Sequence, residues 1–183
     1  MTVHDFNASL DLSARHVDSP WWEEAYRAAF PTLDSMTCVR SDGWAQRGGI
    51  DRVLTLSSGK TIAVDEKVRD RDWPDFALEY WSDAKNQTKG WAIADLACDY
   101  IAYAFIPSGR CYLLPFQQLR KAMLDNGREW VAAYRDPAIH LARNRRGSRS
   151  WETHFVPVPI DVVLDALTDA MLVSFTARAE AAA

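Results

Sequence analysis

The segment from Gly49 to Arg69 constrains the fold more than any other part of the chain. Ile50-Asp51-Arg52-Val53-Leu54-Thr55-Leu56 and Thr61-Ile62-Ala63-Val64-Asp65-Glu66-Lys67-Val68 flank Ser57-Ser58-Gly59. Two strand-forming runs around a short Ser/Gly stretch predict a β-hairpin. Strand side chains alternate between faces, so Asp65 and Lys67 share one face with Thr61 and Ala63. Ile62, Val64 and Val68 occupy the other. Antiparallel pairing about the turn brings Asp51, at the start of the first strand, beside Asp65. Two carboxylates and one ammonium then converge at one end of a sheet, a grouping suited to a divalent cation with a charged helper. Like charges set this close are unfavourable unless a cation joins them. Glu66 falls on the apolar face, where emergence at the strand end or pairing with an arginine such as Arg52 would accommodate it.

At 183 residues the chain is about one domain, and 48% hydrophobic content with eight tryptophans marks it as globular. No apolar run reaches the length of a membrane span, and Met1–Phe6 has neither a basic start nor an apolar signal core. Cys38, Cys98 and Cys111 sit in apolar surroundings and read as buried, reduced thiols of a cytoplasmic protein. Their spacing to His140 and His154 does not suit zinc. A net charge of −4 argues against a module that merely coats nucleic acid. Acids neutralised by bound cations remain compatible with it. Arg143, Arg145, Arg146 and Arg149 concentrate positive charge within seven residues, enough to hold phosphates on a hairpin tip.

Residues 1–18 read as an arm, 19–176 as one domain, and the Ala-rich 177–183 as a frayed tail. Ser19-Pro20 predicts a helix start, and the helix runs through Trp21–Phe30 to Pro31 with Trp22, Tyr26, Ala29 and Phe30 inward. Strands are predicted at Met36–Arg40 and Phe76–Trp81, with a turn at Ser41-Asp42-Gly43. A short helix is expected at Trp91–Leu96. A second hairpin follows at Asp99–Ile106 and Cys111–Leu114. Two helices are marked by Phe116–Met123 and Trp130–Tyr134. A last hairpin spans His140–Arg145 and Trp151–Val156, and an amphipathic helix Ile160–Phe175. This order of elements gives α+β.

An acid before a strand, a hairpin turn, and then Asp65-Glu66-Lys67 in the next strand resemble the signature of the PD-(D/E)xK, or restriction-endonuclease-like, nuclease superfamily. The layout is nearest to its Holliday junction resolvase-like members. Ile50 stands where the name-giving proline would be, and the resemblance covers roughly residues 20–115. It implies a restriction-endonuclease-like core, a central mixed β-sheet flanked by helices. It also implies a Mg²⁺-dependent (or Mn²⁺-dependent) deoxyribonuclease of phage, defence or repair type. Asp51 and Asp65 would be metal ligands together with the main-chain carbonyl of Glu66. Lys67 would orient the attacking water or stabilise charge on the phosphate. The flanking acids keep this lysine charged, which favours stabilisation over general-base duty. A further acid is expected from Glu24 or Glu23 of the first helix, or from Glu79, whose strand should neighbour Lys67. The DNA partner would be met by Gln46 and Arg47 just ahead of Asp51, by Lys85 and Lys89, and by Arg145 and Arg146. Trp44 and Trp73 sit in loops beside the proposed site, where they would either pack into the core or flank the DNA strand. A homodimer would set two sites against two strands. The alternative is a catalytically inactive nuclease-fold protein that binds DNA or protein.

Overall fold

The computed structural model describes Leu12 and residues 15–176. The arm and tail expected at 1–18 and 177–183 therefore lie largely outside the described residues. The fold is α+β, with two sheets and a few helices, and it divides into two compact units.

The first unit holds the diagnostic hairpin and comprises the described part of Leu12–Asp72, Ala97–Leu114 and the chain after Asp169. Its elements are α1 (Trp21–Ala29), β1 (Leu33–Cys38), α2 (Gly43–Arg47), β2 (Arg52–Leu56) and β3 (Thr61–Arg69). The second unit contributes β4 (Asp75–Asp83) and β5 (Thr88–Lys89) before the chain returns as β6 (Tyr100–Phe105) and β7 (Arg110–Pro115). The predicted hairpin is present: Leu54 pairs with Ile62 and Arg52 with Val64, and Gly59 takes a positive φ of 82° that the turn requires. β1 adds antiparallel to β2, while β6 lies parallel to β3 on its other side, so the sheet is mixed. Counting β10 (Met171–Ser174), the order is β1-β2-β3-β6-β7-β10.

The core of this unit lies on the face of β3 that carries Ile62, Val64 and Val68, and Trp21, Trp22, Ala25 and Tyr26 of α1 are buried within it. Four aromatic or small side chains on one helical stripe explain why α1 covers that face and no other. Ser19 does not cap α1 through its hydroxyl, which instead lies 3.1 Å from His16 Nδ1. Asp42 caps α2 by accepting from the Trp44 and Ala45 amides, so the turn predicted at 41–43 becomes a helix start. Cys98 and Cys111 are buried, but Cys38 is exposed, against the expectation for all three. β1 is an edge strand, and its alternate side chains face away from the core.

At the turn from β6 to β7, Gly109 has φ 62°, and a Cβ added there would lie 2.2 Å from the Phe175 carbonyl oxygen. Phe175 comes this close because its amide donates to the Gly109 carbonyl at 2.7 Å. Gly109→Ala is therefore expected to displace the end of β10 and to lower the melting temperature by several degrees. An unchanged melting temperature would mean that the turn relaxes freely.

The second unit comprises residues 73–96 and 115–168. It contains a four-stranded sheet of order β5-β4-β9-β8, with β8 (Leu141–Arg146) and β9 (Arg149–Pro159) forming a ribbon. α3 (Phe116–Tyr134) and α4 (Ile160–Asp165) pack against β9 around Phe76, Leu78, Phe116, Leu119, Trp130, Val156, Val158 and Val163. The two helices expected at 116–134 are one. Gly127, inside that helix, packs against Met123, where a Cβ would lie 3.3 Å from Met123 Cε. The long helix expected at 160–175 ends at Asp165, and Met171–Ser174 pairs instead with β7. The predicted helix at 91–96 is a series of turns. No helix among the described residues is long and apolar enough to cross a membrane.

Candidate functional site

β3 carries two chemistries on opposite faces. On the apolar face, Glu66 is 2% exposed and receives Tyr26 Oη at 2.8 Å and Arg52 Nε at 2.6 Å on one carboxylate oxygen. Arg40 Nη2 reaches its other oxygen at 3.2 Å. The arginine expected to accompany Glu66 is therefore Arg52, with Arg40 and Tyr26 added. On the other face Asp65 is 5% exposed, and Lys67 Nζ donates to Asp65 Oδ1 at 2.6 Å.

Asp51 joins these two sets. Its amide donates to the Val64 carbonyl, continuing the β2–β3 ladder by one residue and fixing it beside Asp65. Its Oδ2 accepts from the Glu66 amide at 2.8 Å and lies 3.1 Å from Arg40 Nη2. Asp51 lies close enough to Asp65 to make that carboxyl harder to ionise. Burial pushes the Asp65 carboxyl up to about 6; the Lys67 ammonium opposes the rise and the Asp51 charge adds to it. Asp65 thus keeps its proton into mildly acidic solution. Glu66 N–H points toward Asp51, and in an extended strand a residue's carbonyl leaves on the same side as its N–H. The Glu66 main-chain carbonyl is therefore directed to the side of β3 on which Asp51 sits.

The donors gathered here are all oxygens, which suits Mg²⁺ or Mn²⁺ rather than a soft metal. Among the described residues no three His, Cys, Asp or Glu side chains form a metal-holding group. Any cation would rest on two carboxylates, a backbone carbonyl and water, a set that Mg²⁺ accepts because it dehydrates reluctantly. A dication would replace the proton that Asp65 carries in mildly acidic solution.

The remaining sequence-predicted residues are dispersed. Glu24 does not reach the acid pair: its carboxylate accepts from the Thr176 amide at 3.0 Å and hydroxyl at 3.2 Å, on the helix covering the apolar face. Glu23 pairs with Arg27 along α1. Glu79 does not neighbour Lys67 in the sheet, because β4 pairs with β5 and β9 while β3 pairs with β2 and β6. Gln46 and Arg47 are exposed on α2, whose carbonyls at Ala45 and Gln46 receive the amides of Ile50 and Gly49. The Arg47 guanidinium stands 4.5 Å above the Trp44 ring, and Trp44 is 81% exposed. Lys85, Lys89 and Arg145 are exposed in the second unit; Arg146 closes the ribbon with Arg149, and its side chain is outside the described set.

Sequence reasoning missed Arg40. Its signal lay in register: Cys38 pairs with Arg52 and the Val39 amide bonds the Asp51 carbonyl, so the chain after β1 emerges at the acid end. No family model, curated protein or solved structure matches the chain.

The Asp65 environment gives a pH dependence whose sign is fixed. A carboxyl held at about 6 in the fold and near 3.8 when unfolded stabilises the fold while protonated. That contribution is complete below the lower value and is lost as pH rises through about 6. Asp65→Asn, which stays neutral, is expected to gain stability relative to the unaltered chain between pH 4 and 7 in metal-free solution. Thermal melts across that range check it; a constant difference would contradict the raised Asp65 pKa.

Proposed function

We propose that this chain is a Mg²⁺- or Mn²⁺-dependent deoxyribonuclease with a restriction-endonuclease-like core. The supporting observation is the adjacency of Asp51 and Asp65 at one end of the hairpin, with Lys67 at 2.6 Å from Asp65. A mixed sheet with a helix on one face and acids at one end is consistent with that core. Asp51, Asp65 and the Glu66 carbonyl would hold the cation, which when bound polarises a phosphoryl oxygen and acidifies water. Lys67, tethered through Asp65, would stand at the phosphate and stabilise the charge that develops on its oxygens. The buried set of Glu66, Arg52 and Tyr26 fixes β3 from the opposite face, so the Glu66 amide and carbonyl keep their direction toward Asp51. Arg47 and Gln46 would meet the DNA backbone beside the site, and a homodimer would offer two sites to two strands.

The second reading, a nuclease-fold protein that binds without cutting, draws on Arg40. Its guanidinium already neutralises Asp51, and Arg40, Arg52 and Lys67 together match the charges of Asp51, Asp65 and Glu66. Incubation of supercoiled plasmid with Mg²⁺, Mn²⁺ or chelator separates the two readings. Metal-dependent nicking by the unaltered chain, absent in Asp51→Asn, supports the enzyme. No nicking with either metal, or equal nicking by the variant, removes it.

A further inference from the structure

The second unit carries a groove of about 710 Å³ between the β8–β9 ribbon and the loop after β4. Lys85, Arg143 and Arg149 line it with Trp151 and Asn144. Asn144 and Trp151 are paired directly across the ribbon, and Arg149 precedes Trp151 by two residues, so these three share one face. The Arg149 guanidinium lies 5.6 Å from the Trp151 ring.

The cations have acidic partners, but these are replaceable. Arg143 contacts Glu152 and Arg149 contacts Asp83, with the arginine side chains 75% and 71% exposed. Ion pairs exposed to that degree hold their members weakly. Asp83 does not depend on Arg149, because Asn86 donates to it from both its amide and its side chain at 3.2 and 2.7 Å. Phosphates can therefore take over both guanidinium groups, with the buried Asp83 carboxylate keeping its two hydrogen bonds from Asn86. Asn144 adds a second sign of an unfilled site. Thr153 gives its hydroxyl hydrogen to the Ser82 carbonyl and so accepts from Asn144 Nδ2, which leaves Asn144 Oδ1 buried without a partner among the described residues. An unpaired buried acceptor is unfavourable and would be relieved by an N–H reaching it from the groove after a small side-chain shift.

We propose that this groove binds a single strand of nucleic acid, with Lys85, Arg143 and Arg149 on phosphates and Trp151 stacked on a base. Cations spaced along a channel with an aromatic platform are what an unpaired strand requires, because its bases offer open faces. A duplex hides those faces, and an acidic peptide would use the cations but leave the ring idle. The proposal stands in the unit that lacks Asp51 and Asp65, and it does not require cleavage.

Fluorescence anisotropy of a labelled single-stranded DNA dodecamer with the full chain, in chelator, tests binding apart from any metal chemistry. Micromolar binding is expected, weakened about tenfold or more by Lys85→Glu with Arg143→Glu, with a salt slope shallower by about 0.7 per reversed cation. Both positions are exposed, so circular dichroism should show the fold retained. Trp151→Ala is expected to weaken binding about tenfold. Absence of binding, or equal binding by the charge-reversed variant, overturns the proposal. So does displacement of the DNA by a polyglutamate peptide with Trp151→Ala binding unchanged, which would mark an acidic-peptide groove.

Discussion

Replacing Glu66 with alanine is expected to lower folding stability by about 3–5 kcal/mol, the range seen when one partner of a buried ion pair is removed. Arg52 is 4% exposed, and among the described residues its guanidinium would keep the Val17 carbonyl at 2.6 Å as its hydrogen-bond acceptor. Tyr26 is fully buried and would lose the acceptor for its hydroxyl, which burial and the neighbouring Glu66 already hold well above its ordinary pKa. Urea unfolding at neutral pH measures the loss. Glu66→Gln should recover part of it, since an amide oxygen can still accept from Tyr26 but carries no charge for Arg52. A loss below about 1 kcal/mol for Glu66→Ala, the scale of an exposed pair, would show that the network is dispensable.

Lys67→Ala is expected to reduce metal-dependent cleavage by about a hundredfold or more while leaving the metal requirement intact. The side chain is 28% exposed, so its removal leaves the fold in place and strips one counter-charge from Asp65. Lys67→Arg should restore little activity, because a planar guanidinium cannot reproduce a compact ammonium tethered at 2.6 Å. Single-turnover cleavage of a labelled duplex separates loss of chemistry from loss of binding. Equal rates for Lys67→Ala and the unaltered chain would remove the lysine from the reaction.

The hairpin and its acids were legible because both rest on local rules. Alternation along Thr61–Val68 sorts Asp65 and Lys67 from Ile62 and Val64, and the turn at Gly59 sets the register that delivers Asp51. Glu66 was legible as a conflict, an acid on an apolar face, and two arginines and a tyrosine resolve it. Glu24 was misassigned because helical periodicity says which stripe is buried but not which face of a sheet the helix covers. β4 was set beside β3 for a similar reason, since sheet membership depends on partners far along the chain, here β9. Val163, Leu164, Leu167, Met171 and Leu172 fit a helical period, yet Met171–Ser174 also alternates, and pairing with β7 decides for strand. Arg40 lies beyond its strand, and only the three-stranded register brings it to Asp51.

Calorimetric titration of Mn²⁺ into the metal-free chain tests the central claim most directly, because it reads the acid pair without requiring a DNA substrate. One saturable site is expected, with protons released near pH 6 as the cation displaces the one on Asp65. Asp65→Asn should abolish both the binding and the proton release. No heat of binding at millimolar Mn²⁺, or the same isotherm from Asp65→Asn, would contradict it.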